Sequence, residues 1–122
     1  MALPITNSGL ALIAGRILGT ASEPKYLGWG TGTTAAALAN TALQTASAES
    51  RVAGTTSQVT VNVTNDCYQA VGTLTSASAQ TISELGQFDA STSGNMLSHF
   101  VFTGVPLGIG DSIQFTTQHY GV

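Results

Sequence analysis

Charged residues are scarce in this 122-residue chain. They make up 7% of it, whereas an ordinary soluble domain carries roughly 25%. The three cations are Arg16, Lys25 and Arg51, too few to form the basic stripe that binds nucleic-acid phosphates. We therefore expect no nucleic-acid partner.

Cysteine and long hydrophobic runs are scarce as well. The single cysteine, Cys67, excludes an intrachain disulfide and a cysteine-rich metal site. We expect it to be a small, unpaired core residue. The apolar run LALIAGRIL, residues 10–18, is too short to cross a bilayer and is interrupted by Arg16. We expect no membrane partner, and a protein made and used without crossing a membrane.

Serine and threonine take the surface positions that lysine, glutamate and arginine usually occupy. With a net charge of −3, a hydroxyl-rich surface offers little electrostatic repulsion between neighbouring copies. This composition favours a protein that works inside an assembly, in contact with other copies of itself.

The N-terminal periodicity predicts one short helix within residues 6–18. Thr6 or Asn7 can cap its start, and Gly19 can end it. Three apolar residues fall at helical spacing on one face of this helix: Leu10, Ile13 and Ile17.

After residue 20 the pattern changes to the period of two that is typical of strands. The stretch SQVTVNVT places Val59, Val61 and Val63 on one face. The Asn65-Asp66 pair predicts a turn, and CYQAVGTLT returns as the second strand of a hairpin.

Further strands are predicted in AQTISELGQF, MLSHFVFTG and SIQFTTQHY, and in the last of these Ile113, Phe115 and Thr117 face one way. Four residues are expected in the core: Val59, Val61, Ile113 and Phe115. Five or six short strands predict an all-β fold, an antiparallel β-sandwich or jelly-roll-like domain with one short N-terminal helix. We expect a single domain, 1–122, with the arm and helix at 1–20 and the sandwich at 25–122.

The stretch YLGWGTGTTAAALANTAL resembles a nucleotide-binding turn at its start but lacks the lysine of a phosphate loop. Its glycines are expected to let a neighbouring backbone approach a strand that begins with Tyr26, Leu27 and Trp29. Trp29 suits a core position and an interface equally. The uncharged residues that follow are expected to cross the sandwich or lie on a partner, with Leu38 and Leu43 as anchors.

No catalytic, cofactor or metal site is predicted. His99 and His119 have no carboxylate or cysteine at ligand spacing, and both are expected at the surface or at a sheet flank. Ser98 is adjacent to His99, but neighbours on a strand point to opposite faces. Glu84 is expected to meet backbone amides or Arg51.

The chain resembles a family of small virion structural proteins from tailed bacteriophages. The matching pieces, in order, are TNSGLALIAG, KYLGWGTGTTAAALANTAL, ESRVAGT, NDCYQAVGTLT, ISELGQFDASTSGNML and GDSIQFTTQH. The chain departs from the family at Gln87, where an aliphatic residue is more common, and at Ser98-His99, where a basic residue is more common. No catalytic motif accompanies the resemblance.

The resemblance implies a non-enzymatic virion component made in the host cytoplasm. The first expectation is a decoration or cement protein that binds the major capsid protein on the outer capsid surface. The alternative is a tail or tail-fibre component that contributes to attachment to the host surface. Six residues are the candidate interface: Leu3, Pro4, Ile5, Trp29, Leu38 and Leu43.

Overall fold

The computed structural model describes residues 5–121, which form one helix followed by seven strands. The elements are α1 (Asn7–Leu18), β1 (Tyr26–Gly30), β2 (Val52–Ala53), β3 (Thr55–Val59), β4 (Cys67–Thr75), β5 (Gln80–Phe88), β6 (Met96–Leu107) and β7 (Ser112–Tyr120). One sheet has the order β2-β1-β5-β6 and the other has the order β3-β4-β7. Every strand pair is antiparallel. The predicted antiparallel β-sandwich with one short N-terminal helix is confirmed.

The core lies between the two sheets. Its fully buried part consists of Leu27, Trp29, Leu74, Ile82 and Leu85, which come from both sheets. Aromatic side chains from β6 and β7 close one side of this cluster. Such packing follows from strand geometry, because alternate residues of each strand point to the face that meets the other sheet.

The alternation predicted for β7 is confirmed. Ile113 and Phe115 are half-buried against the core, and Thr117 is buried. The ring of Phe115 meets that of Trp29 edge to face, with 6.4 Å between the centroids. The intervening side chains of Ser112, Gln114 and Thr116 are exposed.

The predicted hairpin of β3 and β4 is present, with Val59 opposite Cys67. Cys67 is buried, as expected for a small core residue, and it is a free cysteine among residues 5–121. Val59 is half-buried at the end of its strand.

The prediction that Val61 lies in the core, on one face with Val63, is wrong. These side chains are 39% and 65% exposed, because the strand ends at Val59 and the chain turns over residues 60–66. The carboxylate of Asp66 accepts hydrogen bonds from the backbone N–H groups of Val61, Asn62 and Val63, at 2.8, 2.9 and 3.1 Å. An aspartate that binds three successive amides offers the backbone an alternative to the sheet ladder.

Both ends of α1 lie where the sequence places them. Thr6 is the N-cap, and its hydroxyl oxygen accepts the N–H of Gly9 at 3.0 Å. Gly19 ends the helix in the left-handed conformation, with a φ of 88°, and its N–H bonds to the carbonyl of Arg16. A residue without a Cβ adopts this conformation at no steric cost.

The apolar face predicted for α1 is not the face that packs. Of its three residues, Leu10 and Ile17 are 58% and 85% exposed and Ile13 is half-buried, whereas Gly9 and Leu12 are buried. A Cβ on Gly9 would lie 2.1 Å from the carbonyl oxygen of Leu97 in β6. The helix therefore lies directly on the backbone of β6 at Gly9 and buries the Leu12 side chain beside it.

Candidate interaction surface

Residues 31–50, called here the crossing segment, leave β1 and return along it. The N–H of Thr31 donates to the carbonyl of Thr45 at 2.9 Å, and the N–H of Ser47 donates to the carbonyl of Trp29 at 3.1 Å. A Cβ on Gly30 would lie 2.3 Å from the oxygen of Thr45. The glycine therefore permits the close approach of a second backbone, as the sequence predicted.

A buried carboxylate holds the crossing segment at two places, near its start at Gly32 and further along at Gln44 and Thr45. Glu84 of β5 is fully buried. Its Oε1 accepts the N–H groups of Gly32 and Thr45 at 3.2 and 2.8 Å, and its Oε2 accepts that of Gln44 at 2.9 Å. The expectation that Glu84 meets backbone amides is confirmed. Arg51 instead lies over the ring of Phe88, 3.4 Å from its centroid.

His99 of β6 completes this buried group, and its predicted surface or flank position is wrong because the side chain is 1% exposed. Its Nε2 lies 2.7 Å from Oε2 of Glu84, and its Nδ1 lies 2.8 Å from Oδ1 of Asn40. The same Oδ1 accepts the N–H of Ala37 at 2.7 Å, which identifies it as the amide oxygen. Both ring nitrogens therefore lie within hydrogen-bond distance of a side-chain oxygen.

The Glu84–His99–Asn40 series resembles the carboxylate–imidazole part of a hydrolase triad. In a hydrolase the second ring nitrogen meets a hydroxyl or thiol nucleophile. Here it meets an amide oxygen on the crossing segment. The arrangement thus ties the segment to the sheet at Asn40, midway between the amides bound by Glu84.

The outer side of the crossing segment carries no charge between residues 31 and 48. Most of its side chains in residues 33–39 are exposed, including Leu38, which is 62% exposed. The expectation that the Leu38 side chain anchors the segment is therefore wrong. The segment is held here through its backbone, because the carbonyl of Leu38 accepts the N–H of Asn7 at 2.8 Å. Leu43 is half-buried against Gly86 of β5 and anchors the segment, as expected.

The remaining candidate interface residues lie in different surroundings. Leu3 and Pro4 are outside the described residues. Ile5 is half-buried and forms an isolated bridge with Ser98 of β6. Trp29 is 2% exposed and donates from Nε1 to a carboxylate oxygen of Glu49 at 2.8 Å. The sequence allowed Trp29 a core or an interface position, and the structure places it in the core.

A groove of about 710 Å³ lies between α1 and the three-stranded sheet, on a different surface from the crossing segment. Its lining includes Leu12, Ile13 and Leu97, together with the polar groups of Glu23 and Tyr68. The Tyr68 hydroxyl donates to Glu23 at 3.3 Å. Burial and the neighbouring Glu23 carboxylate raise the pKa of Tyr68 above its ordinary value.

His119 lies at the floor of this groove and is 8% exposed, so its predicted surface or flank position is also wrong. Its Nε2 lies 3.0 Å from the hydroxyl oxygen of Ser98, and its buried Nδ1 has no hydrogen-bond partner among residues 5–121. Burial lowers the pKa of His119 from 6.5 to about 4. Ser98 thus pairs with His119 and not with its neighbour His99. In the described part of the chain, no carboxylate orients the ring through Nδ1 as one does in a catalytic triad.

Sequence reasoning missed both buried histidines because each one depends on a partner far away in the chain. The one signal available in the sequence was that His99 directly precedes the apolar stretch Phe100-Val101-Phe102. Within residues 5–121, no three His, Cys, Asp or Glu side chains lie close enough together to hold a metal ion. No helix in that part of the chain has the length and apolarity needed to span a membrane. Comparison with protein-family models, with curated proteins and with solved structures gave no match for this chain.

Proposed function

We propose that this protein is a non-enzymatic structural component of a tailed-phage virion that contacts other protein surfaces in many copies. The observation that carries the proposal is the crossing segment, which buried hydrogen bonds hold against the sheet and whose outer side carries no charge over residues 31–48. The virion part of the proposal rests on the resemblance of the sequence to small virion structural proteins of tailed bacteriophages.

The crossing segment suits protein contact for two physical reasons. Glu84 and His99 already order it, so binding a partner costs little of the conformational entropy that a free loop would lose. Its outer side chains are threonine, alanine and Leu38, so contact removes no charge from water. Small favourable contacts of this kind add up when many copies bind one lattice.

The partner we propose is the major capsid protein, on the outer surface of an icosahedral shell. A protein that binds only the assembled shell stabilises the assembled state by mass action. The expected role is therefore that of a decoration or cement protein. A few copies located at the tail would instead support the tail or tail-fibre role.

The test uses virions of the phage that encodes the chain, prepared with and without this protein. We expect particles without it to release DNA at a lower temperature, and added purified protein to bind in many copies per shell and restore the wild-type temperature. Leu38→Asp should reduce binding, because it places a charge in the proposed contact.

Ile109→Asp is the matched control. Ile109 is 80% exposed in the turn between β6 and β7, so the same substitution there should leave binding unchanged. Equal robustness of particles with and without the protein would overturn the cement role. Absence of the chain from the particles would overturn the virion role altogether.

A further inference from the structure

The groove between α1 and the three-stranded sheet has the size and the lining of a small-molecule site. Its volume of about 710 Å³ lies within the range of roughly 300–1,000 Å³ that such sites occupy. Apolar side chains from the helix and from β6 contribute to its wall, namely Leu12, Ile13 and Leu97. Sites of this kind hold an apolar body and orient it through a small number of polar groups.

The charged side chains in the lining of the groove have partners within the chain. The carboxylate of Glu23 accepts the hydroxyl of Tyr68 at 3.3 Å. The guanidinium of Arg16 donates to the carbonyl of Ala21 at 3.0 Å. The carboxylate of Asp66 accepts the three backbone N–H groups of the turn after β3. An uncharged ligand suits this lining better than an ion.

His119, at the floor of the groove, has an unused hydrogen-bonding atom. Its side chain is 8% exposed, and its Nε2 lies 3.0 Å from the hydroxyl oxygen of Ser98. Among residues 5–121, its Nδ1 is the one buried side-chain nitrogen or oxygen without a hydrogen-bond partner. Because buried polar groups are nearly always paired, an unpaired nitrogen on the ring that floors a groove indicates a partner from outside the chain.

We propose that this groove binds a small, uncharged organic molecule with an apolar body and a hydroxyl group, and that the hydroxyl pairs with Nδ1 of His119. Burial keeps the ring neutral at neutral pH, because it lowers the pKa of His119 to about 4. In a neutral imidazole Nδ1 is a donor in one tautomer and an acceptor in the other, and a hydroxyl group satisfies either.

A carboxylate fits the same position less well. It can only accept a hydrogen bond, and it would lose its water in a groove that already contains the carboxylate of Glu23. The site lies on a different surface from the crossing segment, and the proposal does not depend on the virion role.

The first experiment compares para-cresol with para-xylene, which has the same shape but carries a methyl group in place of the hydroxyl. Both are titrated into the purified protein and followed by NMR. We expect para-cresol to shift the amide signals of Leu12 and Ile13 and the Nδ1 signal of His119. It should bind at least about tenfold more tightly than para-xylene, because only the hydroxyl pairs with the buried nitrogen. The carboxylate analogue para-toluate should bind more weakly than para-cresol.

The second experiment removes the nitrogen. In His119→Leu the preference for para-cresol should disappear, so that para-cresol and para-xylene bind with affinities within about twofold of each other. The loss of preference separates a polar anchor from a general loss of the groove, which would weaken both probes alike.

The third experiment fills the groove. Ile13 is half-buried in the lining, so Ile13→Trp should abolish the binding of para-cresol. Leu10→Trp is the matched control, because Leu10 lies on the same helix, is 58% exposed and is not part of the lining. This variant should bind para-cresol as the wild type does.

Four results would overturn the proposal. They are equal affinity of the wild type for para-cresol and para-xylene, tighter binding of para-toluate, an unchanged preference in His119→Leu, and equal effects of the two tryptophan variants. Binding of neither para-cresol nor para-xylene would overturn it as well, and would leave a water molecule as the partner of Nδ1.

Discussion

Glu84 is the single residue with the most consequences for this molecule. Its two carboxylate oxygens bind three backbone amides of the crossing segment and the ring of His99, with no exposure to solvent. Burial raises the pKa of Glu84, but the hydrogen bonds from Thr45, Gln44, His99 and Gly32 outweigh it, so that the pKa lies below its ordinary value. The charged form is therefore the one that the fold stabilises.

Replacing Glu84 with glutamine should destabilise the protein by about 3–5 kcal/mol, as removal of one partner from a buried charged group does. The amide NH₂ of glutamine would face backbone N–H groups or the ring of His99 where a carboxylate oxygen now accepts. Urea unfolding measures the loss, and hydrogen exchange should show faster exchange at the amides of Gly32, Gln44 and Thr45.

Glu49→Gln is the control for this prediction. Glu49 lies near the surface, where it accepts hydrogen bonds from Trp29 and Gln80, and its loss of charge should cost about 1 kcal/mol. Equal losses in the two variants, or unchanged exchange at the three amides in Glu84→Gln, would show that Glu84 does not hold the crossing segment.

At the scale of elements, α1 depends on how closely its first turn approaches β6. The hydroxyl of Thr6 donates to the carbonyl of Met96 at 2.8 Å while accepting from Gly9, so one side chain both caps the helix and joins it to the strand. Gly9 then lies against the carbonyl of Leu97. The first turn of the helix thus docks through close backbone contact, next to the buried side chain of Leu12.

Gly9→Ala should destabilise the protein by about 1–3 kcal/mol, the usual cost of overpacking. Helix propensity alone predicts the opposite sign, since alanine is favoured over glycine by about 1 kcal/mol within a helix. The new methyl group would have to displace the backbone of β6. Thermal unfolding measures the change.

Gly15→Ala on the same helix is the comparison. Its added Cβ would meet the methyl group of Ala21, 2.9 Å away in the connection after the helix, which can move more easily than a central strand. A smaller loss than in Gly9→Ala is expected. Stabilisation of the protein by Gly9→Ala would contradict the close docking of α1 on β6.

At the scale of the whole molecule, buried titratable groups make folding sensitive to acid. The folded-state pKa of His119 is lowered to about 4 from 6.5. Between these values the unfolded chain binds a proton at this histidine and the folded chain does not. Stability is therefore complete above the higher value and falls as the pH falls toward the lower one.

This difference corresponds to about 3 kcal/mol lost between neutral pH and pH 4. The lowered pKa of Glu84 adds a further loss below the ordinary pKa of a glutamate, where that carboxyl is protonated in the unfolded chain. Urea unfolding at a series of pH values measures the curve. In His119→Gln the free energy of unfolding should no longer fall as the pH drops from 6.5 to 4.5. The loss of stability at lower pH, to which Glu84 contributes, should remain.

NMR titration of the imidazole signals gives an independent check on the same group. The signal of His119 should stay at its neutral position down to about pH 5. Protonation of His119 near pH 6.5, or an unchanged slope in the glutamine variant, would contradict the prediction.

Features that depend on neighbours in the chain were predictable from the sequence. The cap at Thr6 and the end at Gly19 lie next to the helix that they bound, and the alternation of Ile113 and Phe115 is a property of one strand. The tertiary structure decided which groups at distant positions meet. It decided where β3 ends, since the chain turns after Val59, and how closely Gly9 approaches β6. It also decided that His99 is buried against Glu84 and Asn40. Periodicity records whether a residue is apolar, but not whether a polar residue will find a partner, and a buried polar group is stable only when it does.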